Sequence, residues 1–174
     1  MATGTILLCI GAAVLPDGSS NNAAAGIQRV KSSGGVHNSH FLQATLDAST
    51  DEFLFWSFRM PVDYSSGLTL KAPYKMASAT SGNVLLQAYV AAVSDGDLQD
   101  IDAKAFATVN LSAAKAVPGT AGYPDEIVLA LTNDDGVVAG DWVCVEVGRD
   151  ADNGSDTATG DMELLDCALE YTAA

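Results

Sequence analysis

Hydrophobic and polar residues alternate along this chain with a period of two. Leu68, Leu70, Ala72 and Tyr74 share one parity, and Thr69, Lys71 and Pro73 take the other. Successive side chains of an extended strand point to opposite faces, so the pattern is that of a strand buried on one side. The same period returns in Leu54-Trp56-Phe58-Met60, Val84-Leu86-Ala88-Val90, Ile127-Leu129-Leu131 and Leu165-Cys167-Leu169-Tyr171, each bounded by Gly, Pro, Asp or Asn. About nine to ten short strands separated by turn residues predict an all-β fold, an antiparallel β-sandwich or barrel.

In chain order, the pattern predicts a first strand over 4–14, a turn from Pro16 to Asn22, and a short strand over 26–31 broken by Ser32-Ser33-Gly34-Gly35. His40, Leu42, Ala44 and Leu46 then carry the inward parity, followed by a strand over 53–60 and a loop at 61–67. Strands over 68–77 and 83–93 read as a hairpin through Ser78-Ala79-Thr80-Ser81-Gly82. An acidic break over 94–103 precedes strands at 104–112, 125–132, 141–149 and 161–171. Helix is expected at most as a short turn within Asp100–Phe106. With 174 residues and no repeat, linker or shift in composition, the chain reads as one domain over 16–174. Residues 1–15 precede it as a strand, or as an arm that packs on another subunit. Strand 53–60 is apolar on both faces, because Phe53 and Phe55 oppose Trp56 and Phe58, and a strand of that kind is covered twice, by a loop or by another subunit.

Charge narrows the function classes. The net charge is −14, and all but five of the 22 acidic residues are Asp, which favours turns and caps. The acid therefore sits mainly in loops, as a solubilising surface. Eight scattered Lys and Arg exclude a phosphate-binding patch, so no nucleic-acid partner is expected. The apolar stretch from Thr5 to Leu15 lacks a basic flank and is too short to span a bilayer, so no membrane partner is expected and synthesis in a cytoplasm is. Cys9, Cys144 and Cys167 form no metal spacing, and the last two alternate with core residues as small buried side chains.

No catalytic constellation accompanies these strands. His37 and His40, three apart on a strand, point to opposite faces and do not share a metal. A serine-hydrolase elbow and a phosphate-cradling loop are both missing. Abundant acids make any glycosidase pair uninformative, and no acid, Glu146 included, is singled out as one with a raised pKa. Two acidic loops offer the hard oxygen ligands that calcium takes: Asp95, Asp97, Asp100 and Asp102 in one, and Asp150, Asp152 and Asp156 in the other. The second departs from the EF-hand pattern, so these are weak calcium candidates, and no cofactor is expected.

Three segments carry a resemblance. Trp56-Ser57-Phe58-Arg59-Met60-Pro61-Val62-Asp63-Tyr64, then Tyr74 to Val84, then Arg149-Asp150-Ala151-Asp152 with Asp156 to Asp161, resemble a jelly-roll structural protein of tailed bacteriophages, over about 55–171. The resemblance implies a virion protein that is not an enzyme: a capsid decoration, or cement, protein, commonly a homotrimer, bound to the major capsid protein between capsomers on the capsid surface. Contact candidates on that reading are Ile6, Leu8, Ile10 and Val14 of the apolar N-terminal segment, with the outward Phe53 and Phe55. The alternative is a tail or head fibre module that binds host-surface glycans through end loops, with exposed aromatics near Tyr64 or Tyr123.

Overall fold

A computed structural model describes residues 2–19 and 22–174. Its strands are β1 (Ala2–Leu8), β2 (Ala23–Ala24), β3 (Gly26–Lys31), β4 (His40–Leu46), β5 (Glu52–Arg59), β6 (Tyr64–Met76), β7 (Asn83–Val84), β8 (Leu86–Val93), β9 (Asn110–Leu111), β10 (Lys115–Ala116), β11 (Asp125–Leu131), β12 (Trp142–Arg149), β13 (Met162–Leu164) and β14 (Cys167–Ala173). Among the described residues, helix is confined to single 3₁₀ turns at Ile10–Ala12 and Ile101–Ala103, the second of them inside the stretch where the sequence allows one. The fold is an antiparallel β-sandwich, as the alternation predicts.

The larger sheet has seven strands. β6 is its spine, pairing with β11 on one side and with β13 and β14 on the other. Beyond β13 lie β4 and β3, and beyond β14 lies β1. The smaller sheet runs β2-β5-β12-β8-β9, and β7 and β10 form a separate short pair. The inward parities of both sheets meet in one core, where Leu46, Leu54, Leu70, Leu86, Val90, Val145, Leu164 and Leu169 are inaccessible to solvent. Burying one such leucine contributes roughly 1.5–3 kcal/mol.

Several expectations change. The predicted strand 4–14 ends at Leu8, because Ile10 turns into the core and its N–H donates to Asp166 Oδ1 at 2.7 Å. The chain then crosses to the smaller sheet, where Val14 and Phe55 exchange backbone hydrogen bonds at 2.9 Å. The segment 78–82 is not a hairpin turn: β6 and β8 lie in different sheets, and the loop packs on 157–160 instead. Gly82 has φ +92°, and a Cβ there would stand 2.8 Å from Ala158 backbone. In place of a strand over 104–112 only Asn110–Leu111 pairs. The final strand 161–171 is broken at Leu165 and Asp166, where its outer neighbour changes from β4 to β1.

An ion pair lies inside the sandwich. Arg149 is fully buried at the end of β12 and donates to Asp156 through Nε at 3.0 Å and Nη2 at 2.7 Å, to Gly160 O at 2.7 Å and to Ala158 O at 2.7 Å. Asp156 Oδ2 also accepts from Leu85 N at 3.0 Å. The loop after β12 is thus tied back by a buried ion pair whose polar atoms find partners, the condition under which such a pair is tolerated.

Candidate functional site

The outer face of the smaller sheet follows from strand register. Val143, Val145 and Val147 of β12 point into the core, so Trp142, Cys144, Glu146 and Gly148 point out. Their partners on β5 and β8 set up four cross-strand rows: Arg59, Trp142 and Val93; Ser57, Cys144 and Ala91; Phe55, Glu146 and Tyr89; Phe53, Gly148 and Gln87. Two of the rows are aromatic. Tyr89 stands edge-on to Phe53 at 6.5 Å between ring centroids, and Phe106 reaches over from the 94–109 segment to meet Tyr89 at 6.2 Å and Phe55 at 6.0 Å. Ala107 N, bonded to Val90 O at 2.9 Å, and Lys104, paired with Asp135 at 2.7 Å, hold that segment in place.

Beneath these rings lies Glu146, 6% exposed and with no cation among its described contacts. Burial pushes its carboxyl up to about 7, against a smaller lowering by the Asn22 side chain. Burial, followed by the Glu146 charge, also raises the Tyr89 hydroxyl. The Cys144 thiol is raised by burial as well, so it is no activated nucleophile. Glu146 is the only carboxylate in the four rows.

Toward the Trp142 end the face opens. A depression of about 600 Å³ is lined by Trp142, Arg59, Ser94, Asp95, Leu98 and Gln99, among others. Ser94 Oγ donates to Asp141 Oδ1 at 2.6 Å and Arg59 Nε to Gly140 O at 3.1 Å, which fixes both walls. The Trp142 ring, the Arg59 guanidinium, Asp95 and Gln99 are left to face an incoming molecule. An amphipathic ring flanked by a few convergent polar groups is the usual composition of a small-molecule site.

The acidic loops divide. Asp156 is taken by Arg149 and is no calcium ligand, a correction to its place among the candidates. Asp150 and Asp152 converge instead with Asp51, their carboxylate oxygens all within 4.8 Å of one another. Burial, then the Asp51 and Asp152 charges, raise the Asp150 carboxyl against a lowering by Asn153. Both Asp51 oxygens already accept bonds at 2.7 Å, from Ala151 N and Gln87 Nε2. These three residues are where a divalent cation would find oxygen ligands. In the other loop Asp97 accepts from Ser94 N and Asp100 from Asp102 N, so these carboxylates cap their own turns.

The predicted contact residues scatter. Leu8, Ile10 and Phe53 are buried at 1%, 0% and 6% exposure and present nothing to a partner, while Ile6 and Phe55 are half-buried. Of the six only Val14, at 64%, is exposed; Leu7 and Leu15 of the same N-terminal segment are exposed too. Phe53 does point outward, but it fills the space over Gly148, where a Cβ would lie 2.5 Å from its ring. Tyr64 is buried and Tyr123 exposed. Sequence reading missed Trp142, Arg59 and Glu146 as a set. Their shared parity across β5 and β12 was the available signal, and it becomes readable only once the two strands are known to be neighbours.

No family model matches this sequence, and no curated protein matches it. Among solved structures, the chain is similar to the CBM22-1 and GH10 modules of the Clostridium thermocellum endo-1,4-β-D-xylanase 10B, complexed with xylohexaose, with a TM-score of 0.50 and 12% identity over 99% of this chain. It spans 28% of that longer chain. A second similar structure is the family 11 carbohydrate-binding module of Clostridium thermocellum in complex with a β-1,3-1,4-mixed-linked tetrasaccharide, with a TM-score of 0.40, 11% identity and 97% and 96% of the two chains covered. At such identities the likeness is one of fold alone.

Proposed function

We propose that this chain is a non-catalytic β-sandwich module that binds a glycan at the Trp142 end of its smaller sheet. The observation that carries the reading is the open depression in which one tryptophan faces solvent beside Arg59, Asp95 and Gln99. A sugar ring offers an apolar C–H face for the indole and hydroxyls for the charged groups, which matches that lining. The depression is walled by the loop after β8 and the turn before β12, so the site belongs to one end of the sandwich, the arrangement of a fibre-type module. Xylohexaose, the ligand of the similar xylanase structure, is the first probe. Isothermal titration should give a dissociation constant in the micromolar to millimolar range, and Trp142→Ala should weaken it at least tenfold while leaving the melting temperature within a few degrees. If neither xylohexaose nor any member of a broad glycan array binds the wild-type protein, the reading fails.

A second reading, a capsid decoration protein, is favoured by the apolar residues Leu7, Val14 and Leu15, which lie exposed along one segment. Removing residues 1–15 would not test it, since Leu8 and Ile10 belong to the core. Val14→Asp leaves the core alone. On this reading the chain is present in hundreds of copies in purified particles, by quantitative mass spectrometry against the major capsid protein, and the variant is depleted from them.

A further inference from the structure

One element of the sandwich lacks support. β4 pairs with β13 only through Leu46, Thr45 and Ala44; before that its only ladder partner is β3, with Leu42 resting beside Gly11. From Arg29 to Lys31 and from His40 to Leu42 the two strands therefore form a two-stranded ribbon, beyond the buried Gln43 that still bonds to Glu163 of β13. Its tip is closed by its own hydrogen bonds, Ser32 N to Ser39 O and Ser39 N to Ser32 Oγ, both at 3.0 Å. Apolar residues remain uncovered along it: Ile27 and Leu42 are each 39% exposed and Phe41 38%. A ribbon of two strands is marginal alone in water, and an unpaired strand edge with apolar neighbours invites a partner.

Its charge says which partner. None of the 22 acidic residues lies between Gly18 and Leu46, whereas Arg29 and Lys31 do, in a chain of net charge −14. Register puts Arg29 opposite Leu42 and Lys31 opposite His40, so the basic side chains share one face of the ribbon. Five of the eight Lys and Arg pair with acids of this chain, but among the described residues Arg29 and Lys31 do not. An apolar stem with unpaired cations is thus held out from a body that carries every acid of the molecule. The surface that complements it on both counts is the body of a second copy.

We propose that the β3–β4 ribbon is an intermolecular arm that docks on the acidic body of another copy of this chain. Because the ribbon and its receiving surface differ, two copies dock reciprocally or several close a ring. Opposite charges brought face to face fix the register of such a contact, while long-range repulsion between like-charged bodies is screened beyond about 8 Å at physiological ionic strength. This inference concerns a different face from the Trp142 depression, and its test uses protein without glycan, so either can fail alone.

Sedimentation velocity over a concentration series at physiological ionic strength, with the wild-type chain and R29E/K31E, decides it. The wild-type protein is expected to self-associate, and the charge reversal to weaken that association at least tenfold with an unchanged circular dichroism spectrum. Carbodiimide cross-linking of the wild-type protein supplies a second readout that needs no variant: an intermolecular link from Lys31 to an Asp or Glu, identified by mass spectrometry. A wild-type chain that stays monomeric to its solubility limit, including one that binds only an added polyanion, overturns the proposal. So does an oligomer that R29E/K31E leaves intact and in which Lys31 forms no intermolecular link.

Discussion

The two outward faces of the sandwich obey the same alternation and are dressed in opposite ways. On the larger sheet the outward residues Gln43, Glu163 and Lys75 form a polar cluster across three strands: Gln43 Nε2 donates to Glu163 at 2.7 Å, and Lys75 pairs with the same carboxylate. Lys71 and Glu170 form a looser pair at 3.6 Å. On the smaller sheet the corresponding rows hold Phe53, Phe55, Tyr89 and Trp142 around a carboxyl with no cation. One face pairs its charges within itself. The other carries apolar area beyond what the core requires, part of it roofed by Phe106 and part left open. Period-two patterning thus states which side chains point away from the core, and their chemistry states whether that side is finished.

If the roofed part of the smaller sheet acts as a second core, substitutions there should outweigh those on the larger sheet. Phe53→Ala should cost about 3 kcal/mol in urea unfolding, the range for a buried aromatic cut back to a methyl; a loss under about 1 kcal/mol would break the comparison. Glu146→Gln should have the next largest effect and the opposite sign. Folded Glu146 keeps its proton up to about pH 7, whereas an unfolded one releases it near 4.5, so the wild-type protein loses stability as pH rises between those values and levels off above. The Gln variant lacks that slope and should be more stable than wild type at pH 8 by roughly 2 kcal/mol, read from paired unfolding curves at pH 5 and pH 8. On the polar face, Lys75→Met should cost only about 1 kcal/mol, because Glu163 keeps its bond from Gln43. The more exposed Lys71→Ala should fall below about 0.5 kcal/mol and shrink further in high salt, by thermal melts at two ionic strengths.

Most of the inner face was legible in the alternation, although His40 and Leu42, given the inward parity, are exposed. Leu68, Leu70, Ala72 and Tyr74 are all buried, as are Ile127, Leu129 and Leu131, because a one-residue slip would turn each set outward. What the chain folds against was not. Ser78–Gly82 has the composition of a hairpin turn, but local turn chemistry carries no record that the next strand enters the other sheet. The parity of Phe53 was right and its exposure wrong, since the vacancy it fills belongs to Gly148, nearly a hundred residues away. Asp156 looked like one loop acid among several until Arg149 came to lie against it. The raised pKa of Glu146 comes from burial between strands far apart in the chain, so no window around Glu146 could have disclosed it.

The pairing of β1 with β14 has a mechanical consequence. Ala2 lies opposite Ala173, and the two strands run antiparallel from there to Leu8 and Cys167. A force pulling those two ends apart acts at a single rung and opens the ladder one pair at a time, as a zipper does, instead of shearing seven residue pairs at once. The same adjacency makes the molecule a good subject for circular permutation: a short bridge between the ends, with new termini at the exposed 32–39 turn, should preserve the sandwich while changing where tension enters it.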